Sequence, residues 1–430
     1  MRFGLAVADI TPMSRMPMRG YATRKDLFDR VHDPLTVTAV VLEEGDRRAL
    51  IGAVDLVTLP GDGSLPGLLE RLGGIVGCPP DCVMLNASHT HGGPTPSRSA
   101  WGDDDPYGDL CERYKQFVYD RIADAAARAV ADLREGTLRF GEGTTDLPIS
   151  RRLERDGRIL HAPAPDAPTD PRTHLLALYD ADGTPAALGL KVSCHAVATA
   201  WQHQITADYP GAWRDAFSAA FDGRVTPFFL QGAGADTRPR QAADGDDWRA
   251  VPHEELPDMA RGLLAETLIA LAGGLETVGP LVLAGAIRPV QVPCRPLYTR
   301  REQFQDLQKS RNERERRYAE KCLGLLDEGR SVPGHATVQV QTLWLTEDLA
   351  LVGLDVEPLC ALGFAVEEAL APARVVLLGY TNGSCCYLPT TAEIERGGYE
   401  AESYLGKTWT GPLGPGIEES IIAGLTRACR

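Results

Sequence analysis

The sequence predicts a mixed α/β (α+β) protein: one large catalytic domain over residues 1–430, an extensive mixed sheet flanked by helices. Three observations carry that prediction. Apolar, β-branched runs recur along the chain, stretches with apolar residues at helical spacing lie between them, and no internal repeat or low-complexity tract breaks the pattern.

The strand candidates, in order, are RALIGAVDLV (48–57), CVMLNA (82–87), LGLKVSC (188–194), TPFFLQ (226–231), LVLAGAI (281–287), TVQVQTLWL (337–345), LALVGL (349–354) and RVVLLGY (374–380). Helices are expected over 107–133, over 253–274 with glycines at its end, and over 358–370. Charges of both signs crowd the segment that follows the fifth strand candidate, which predicts a charged helical insertion at about 298–330 with a solvated surface. HAPAPDAPTDPRT (161–173) reads as an extended surface loop.

Composition narrows the function classes. With 59 acidic against 44 basic residues and a formal charge of −15, neither nucleic acid nor an anionic membrane would be attracted electrostatically. The opening MRFGLAVADITP lacks the apolar stretch of a secretory signal, and no later run approaches the length of a spanning helix. The expectation is a cytoplasmic protein with a small-molecule substrate, no nucleic-acid or membrane partner, and room for a homo-oligomer. Ten cysteines without a C-x-x-C pair are expected to be reduced thiols.

The reactive residue types lie just past predicted strand ends, where loops can converge on one mouth. CVMLNA runs into SHTHGGP, LGLKVS into CHA, PFFL into QGAGADTRP, LALVGL into DVEP, and RVVLLG into YTNGSCCYLPTTAEIERGGYE. His89 and His91, two apart, project to one side of an extended segment, as a metal edge or as a hydrogen-bonded pair. His195 is a further nitrogen ligand or a satisfied buried histidine. Glu357 is a ligand or the polar first turn of the following helix, with Asp355 as its local rival. Two histidines, a carboxylate and an open position would suit catalytic zinc.

Other chemistries fit less well. Cys194, Cys385 and Cys386 lack the paired spacing of a sulfur site and read as buried thiols. No G-x-S-x-G elbow is present, and QGAGAD has no following Lys-Ser/Thr, so it reads as a close-approach turn presenting Asp236 and Arg238. Asp9, Asp55 and Asp208 read as structural, turn-capping acids.

AVADITP, DPL at 33–35, VDLVTLP, SHTHGGP, SRR, SCHAVAT, TADYPGAWR, QGAGADTRP and the final TNG with Tyr387 and Tyr399 occur in an order that resembles the catalytic domain of the neutral/alkaline non-lysosomal ceramidases. The resemblance implies that fold and one Zn²⁺ per chain, held by His89, His195, Glu357 and Tyr387. It also implies that His91, Arg151 and Tyr399 act on substrate, on the oxyanion or in proton transfer, with attack by zinc-bound water on an amide carbonyl. A tyrosine ligand comes from the resemblance alone.

Departures from the family shape the substrate expectation. Where the ceramidases carry a serine, this chain has Arg238, within Ala235-Asp236-Thr237-Arg238-Pro239. Asp236, Thr237 and Arg238 are expected to bind substrate; Arg238 either grips a carboxylate or phosphate or forms a structural ion pair with Asp236 or another acid. The chain stops soon after the tyrosine motif, with no immunoglobulin-like C-terminal domain, and its tail YLGKTWTGPLGPG differs from a membrane-docking surface. The reading is a zinc-dependent amidohydrolase of a small polar amide. Its rivals are a zinc-assisted ester or lactone hydrolase or cyclase, an inactive metal-containing binding protein, and a ceramidase.

Overall fold

A computed structural model describes the chain except for residues 22, 23, 25, 98–105, 296, 297, 299, 384, 385, 407–410 and 426–430, and the side chains of 314, 405 and 406. Cys385 and part of the tail segment 404–416 therefore lie outside the described residues. The main sheet is built from β1 (Arg2–Asp9), β2 (Thr36–Glu44), β3 (Arg47–Val54), β4 (Val83–Ala87), β5 (Arg134–Thr144), β6 (Arg172–Asp180), β7 (Pro185–Val192) and β8 (Thr226–Gln231). Their spatial order is β8-β7-β6-β5-β1-β2-β3-β4, with Glu276–Val278 beside β5. The β3–β4 and β7–β8 pairs are parallel; the other neighbours are antiparallel.

The two ends of this order meet. Gln231 N at the end of β8 donates to Asn86 Oδ1 in β4 at 2.7 Å, and Asn86 Nδ2 donates to Gln231 O at 3.2 Å. A second sheet, β9 (Ala284–Pro293), β10 (His335–Trp344), β11 (Leu349–Leu354) and β12 (Arg374–Leu378), packs on the first. Met84, Phe228 and Leu230 share one buried cluster with Leu351, Val376 and Leu378. Both faces of β11 are covered, so its sequence is continuously apolar rather than alternating.

Helix α1 (Gly108–Ala131) buries Cys111, Tyr114, Val118, Ile122, Ala125 and Ala129, the three- and four-residue spacing of one helical face. It lies so close to β1 that a Cβ on Gly4 would stand 1.8 Å from the Ala129 carbonyl oxygen, and only glycine fits. Helices α2 (Asp208–Ala220) and α3 (Leu256–Ala272) pack on each other, α2 covering β8 and α3 covering β5, and bury Trp213, Phe217, Met259 and Leu263. The charged segment forms α4 (Arg301–Leu307) and α5 (Glu313–Asp327), which bury Phe304, Tyr318 and Cys322. Helix α6 (Cys360–Leu370) follows Glu357.

Two expectations need correction. The strand predicted at 281–287 begins only at Ala284. The stretch 161–173 is not a surface loop throughout: strand Arg158–Ala164 buries Ala162 and Ala164. The connection beyond it is drawn inward by Asp170, which accepts from Lys191 Nζ and Arg172 Nε, each at 2.8 Å. Cys78, Cys82, Cys194, Cys294, Cys322 and Cys360 are free thiols. Among the described residues, no helix is long and apolar enough to cross a membrane.

Candidate metal centre

Backbone hydrogen bonds tie the five strand ends together. Ala87 N donates to Tyr380 O at 3.1 Å and Asn382 N to Leu85 O at 2.8 Å, joining the loop after β12 to β4. Gly379 N reaches Gln231 O of β8 at 3.2 Å, and Tyr380 N reaches Val356 O beyond β11 at 2.9 Å. In the QGAGAD turn, a Cβ on Gly234 would stand 2.5 Å from the Ser193 carbonyl carbon. That glycine lets the turn after β8 press against the backbone that carries His195.

Three imidazoles meet where these loops converge. His89 Nε2 lies 3.1 Å from His195 Nε2 and 3.1 Å from His91 Nε2. Glu357 Oε2 lies 3.4 Å from His89 Nε2 and 3.6 Å from His195 Nε2. The segment is not extended, as the sequence suggested; His89 has φ 59°. This left-handed conformation, which costs a non-glycine residue about 1–3 kcal/mol, turns both rings into the cluster.

The donor set fits a metal ion. His89 Nδ1–H donates to Val57 O at 2.6 Å and His195 Nδ1–H to Gly234 O at 2.8 Å. With the hydrogens fixed there, each Nε2 presents a lone pair, and the two lone pairs face one another beside a carboxylate. Burial, then the Arg151 charge, lowers the His195 pKa to about 3, and burial, then His89, holds His91 well below the ordinary value, so these two rings disfavour a bound proton. Nitrogens around a tetrahedral zinc are about 3.3 Å apart, given bonds of roughly 2.0–2.1 Å. The group His89, His91 and His195 can therefore hold a metal.

Tyr387 arrives beside Glu357, because Glu357–Pro358 and Tyr387–Leu388 form a two-residue parallel pair. Its ring stacks near His195 with centroids 6.3 Å apart. Burial, then Glu357, pushes its hydroxyl pKa up, and a hydrogen bond with Arg151 opposes the rise. Arg151 Nε donates to Glu400 Oε1 at 2.8 Å, and Arg152 grips the same carboxylate. Tyr399, 43% exposed, packs 5.4 Å from the Tyr387 ring.

No family model and no curated protein sequence matches the chain. Solved structures do. The neutral ceramidase from Pseudomonas aeruginosa superposes with a TM-score of 0.70 at 22% identity, over 98% of this chain and 72% of that one. A structure described as a ceramidase complexed with C2 gives 0.70 at 21% identity, over 100% of this chain and 76% of that one. The chain has the neutral ceramidase fold. The resemblance carried by its motifs is thus matched at the level of fold.

On this neutral ceramidase fold, His89, His91, His195, Glu357, Tyr387, Arg151 and Tyr399 are brought together. Glu357 belongs to the cluster and not to a helix turn, since α6 begins at Cys360; its rival Asp355 accepts from Gln339 N at 2.8 Å. Asp236 and Thr237, expected to contact substrate, are engaged internally. Asp236 accepts from Cys360 N at 3.0 Å and Cys360 Sγ at 3.1 Å, while Thr237 Oγ1 donates toward Ser193 O and Gly234 O, each at 3.0 Å. The ion pair envisaged between Arg238 and Asp236 is not formed. Asp208, a structural acid, accepts from Ala198 N, Thr199 N and Tyr209 N and fixes the loop after His195. Asp55 likewise pairs with Arg214.

Sequence reasoning missed an aromatic wall. From His91 the ring contacts run to Tyr21 (4.8 Å) and on to Trp201 (5.5 Å); Arg238 stands 5.6 Å from the Trp201 ring and 4.5 Å from Trp248. They continue to His161 (6.2 Å), Tyr399 (5.7 Å), Tyr387 and back to His195, closing a circuit. Tyr380 stacks on His89 at 3.9 Å. Of the members not already named from the sequence, only Tyr380 carried a signal, as a residue just past β12.

Proposed function

We propose that the protein is a zinc-dependent hydrolase of a small polar amide, cleaving a linear carbon–nitrogen bond. The observation that carries this reading is the meeting of imidazole lone pairs and the Glu357 carboxylate, with the His89 and His195 rings locked by backbone carbonyls. Imidazoles with one carboxylate suit zinc. His89, His195 and Glu357, with Tyr387 beside them, are the proposed ligands. Zinc there would supply a Lewis acid and lower the pKa of water to about 7.

His91 is given the proton transfer because its second nitrogen differs from theirs. Metal-bound imidazoles nearly always donate their other N–H to a partner. His91 Nδ1 is buried without a hydrogen-bond partner among the described residues. Its hydrogen is not pinned to one nitrogen, which suits a ring that takes a proton from water at Nε2 and delivers it to the leaving amine. Arg151, oriented by Glu400, and Tyr399 are proposed as donors to the carbonyl oxygen as it becomes negative; donors fixed beforehand need no reorganisation at that moment.

The structural neighbours are described as ceramidases, but the net charge of −15 and the buried cation at Arg238 favour a polar substrate here over a lipid at an anionic surface. The test is metal analysis joined to a substrate panel. Purified protein should carry zinc, lose it and its amide turnover to a chelator, and regain both with zinc. Protein without metal, whose turnover ignores chelation, would falsify the reading, and preferential turnover of esters or lactones would move it to the sister class.

A further inference from the structure

Arg238 is 3% exposed, yet among the described residues no carboxylate lies within ion-pair distance of its guanidinium. Its Nε is buried without a hydrogen-bond partner, and Nη2 makes one long contact, 3.4 Å to Val197 O. Val197 is two residues past His195, so the cation is tethered to the loop that carries a member of the imidazole cluster. Trp201 and Trp248 flank it at 5.6 and 4.5 Å.

Two indole faces and one long carbonyl contact leave the buried guanidinium without the carboxylate that a buried cation ordinarily takes as partner. Arg151 adds a second buried positive charge nearby, and Asp208, the acid that acts on Arg238 from a distance, already accepts four hydrogen bonds. An anion brought by a ligand would supply the missing partner. A guanidinium fork between two aromatic planes matches a flat, two-oxygen anion.

Resting on the hydrolase reading above, we propose that Arg238, between Trp201 and Trp248, receives a substrate carboxylate, so that the preferred substrates are amides that also carry a free carboxylate. Arg238 is held at Val197 O, two residues past His195, which places the guanidinium on the loop that carries a member of the imidazole cluster. The carboxylate selects and orients, and Arg238 is a specificity-determining residue.

The experiment is binding, read from tryptophan fluorescence and calorimetry on the zinc-loaded protein, with N-benzoylglycine and its neutral counterpart N-benzoylglycinamide as probes. The acid should bind about 10- to 100-fold more tightly, the range of a charge-assisted hydrogen bond of about 1.5–3 kcal/mol. Arg238→Met should abolish that preference, with zinc content and affinity for the neutral probe unchanged, and Arg238→Lys should restore part of it. Equal binding of both probes by the unsubstituted protein overturns the proposal without any variant. So does an unaltered preference in Arg238→Met, which would trace the carboxylate to the metal. Tighter binding of the matching phosphonate would also overturn it. A carboxylate preference without amide turnover would sink the hydrolase reading alone, and turnover without the preference would sink this one alone.

Discussion

Two buried arginines stand on neighbouring strands of one three-stranded ribbon, and their surroundings could hardly differ more. Arg151, on Pro148–Arg155, is 5% exposed and is matched by Glu400 and the Tyr387 hydroxyl. Arg238, on Thr237–Pro239, has indole faces and one distant carbonyl. Arg151 therefore has a carboxylate partner inside the folded protein, while its Nη2 is left without a hydrogen bond among the described residues. Arg238 belongs to a part of the cleft completed from outside. On the proposed hydrolase reading, the difference separates the chemistry, built into the fold, from selection, which waits for a ligand.

The largest effect should come from removing the imidazole centre. His195→Ala deletes a nitrogen whose partner, Gly234 O, already fixes its ring. It should lose zinc and lower kcat/KM by at least about a thousandfold, which corresponds to roughly 4 kcal/mol of transition-state stabilisation. Neither arginine substitution should release zinc, as atomic absorption would show. Zinc lost from an Arg238 variant would mean that the two halves of the cleft are not separable.

Stability divides the arginines next. Arg151→Ala leaves Glu400 buried with Arg152 as its remaining cation and should cost about 1–3 kcal/mol in urea unfolding. Arg238→Met removes a charge with no ion-pair partner and keeps an apolar stem between Trp201 and Trp248, so it should be neutral or stabilising. Equal losses in the two variants would erase the distinction.

The metal-centre half of the site was also the more legible half. Strand ends followed by His, Gly and acidic residues can be read from local pattern, so His89, His91, His195 and Glu357 could be named as candidates before any coordinates. Tyr387 could not: its place beside Glu357 is set by pairing of two short segments thirty positions apart, and only the family resemblance indicated it. The aromatic wall was illegible for the same reason. Tyr21, His161, Trp201 and Trp248 come from four separate segments, none of which carries a motif. Asp236 and Thr237 sat in a glycine-rich turn that looked functional, but burial gave their polar atoms backbone and thiol partners. The fold-level outline survived because apolar runs report burial directly, whereas side-chain partners depend on contacts remote in sequence.

A buried acid offers the mirror image of Arg238 and the smallest of the expected effects. Glu393 caps its own helix, accepting from Thr390 N at 3.2 Å, and burial, followed by repulsion from Asp236, pushes its pKa up to about 7 from 4.5. As pH rises past 4.5, the unfolded chain releases this proton before the folded one does. Stability should therefore fall between about pH 4.5 and 7, by up to about 3 kcal/mol, and level off above that. Glu393→Gln keeps an oxygen for Thr390 N and removes the titration. It should flatten the decline and leave the variant the more stable protein at pH 8, with zinc binding unaltered. A variant whose urea midpoint follows the same pH curve as the parent would show that the Glu393 carboxylate is compensated in the fold.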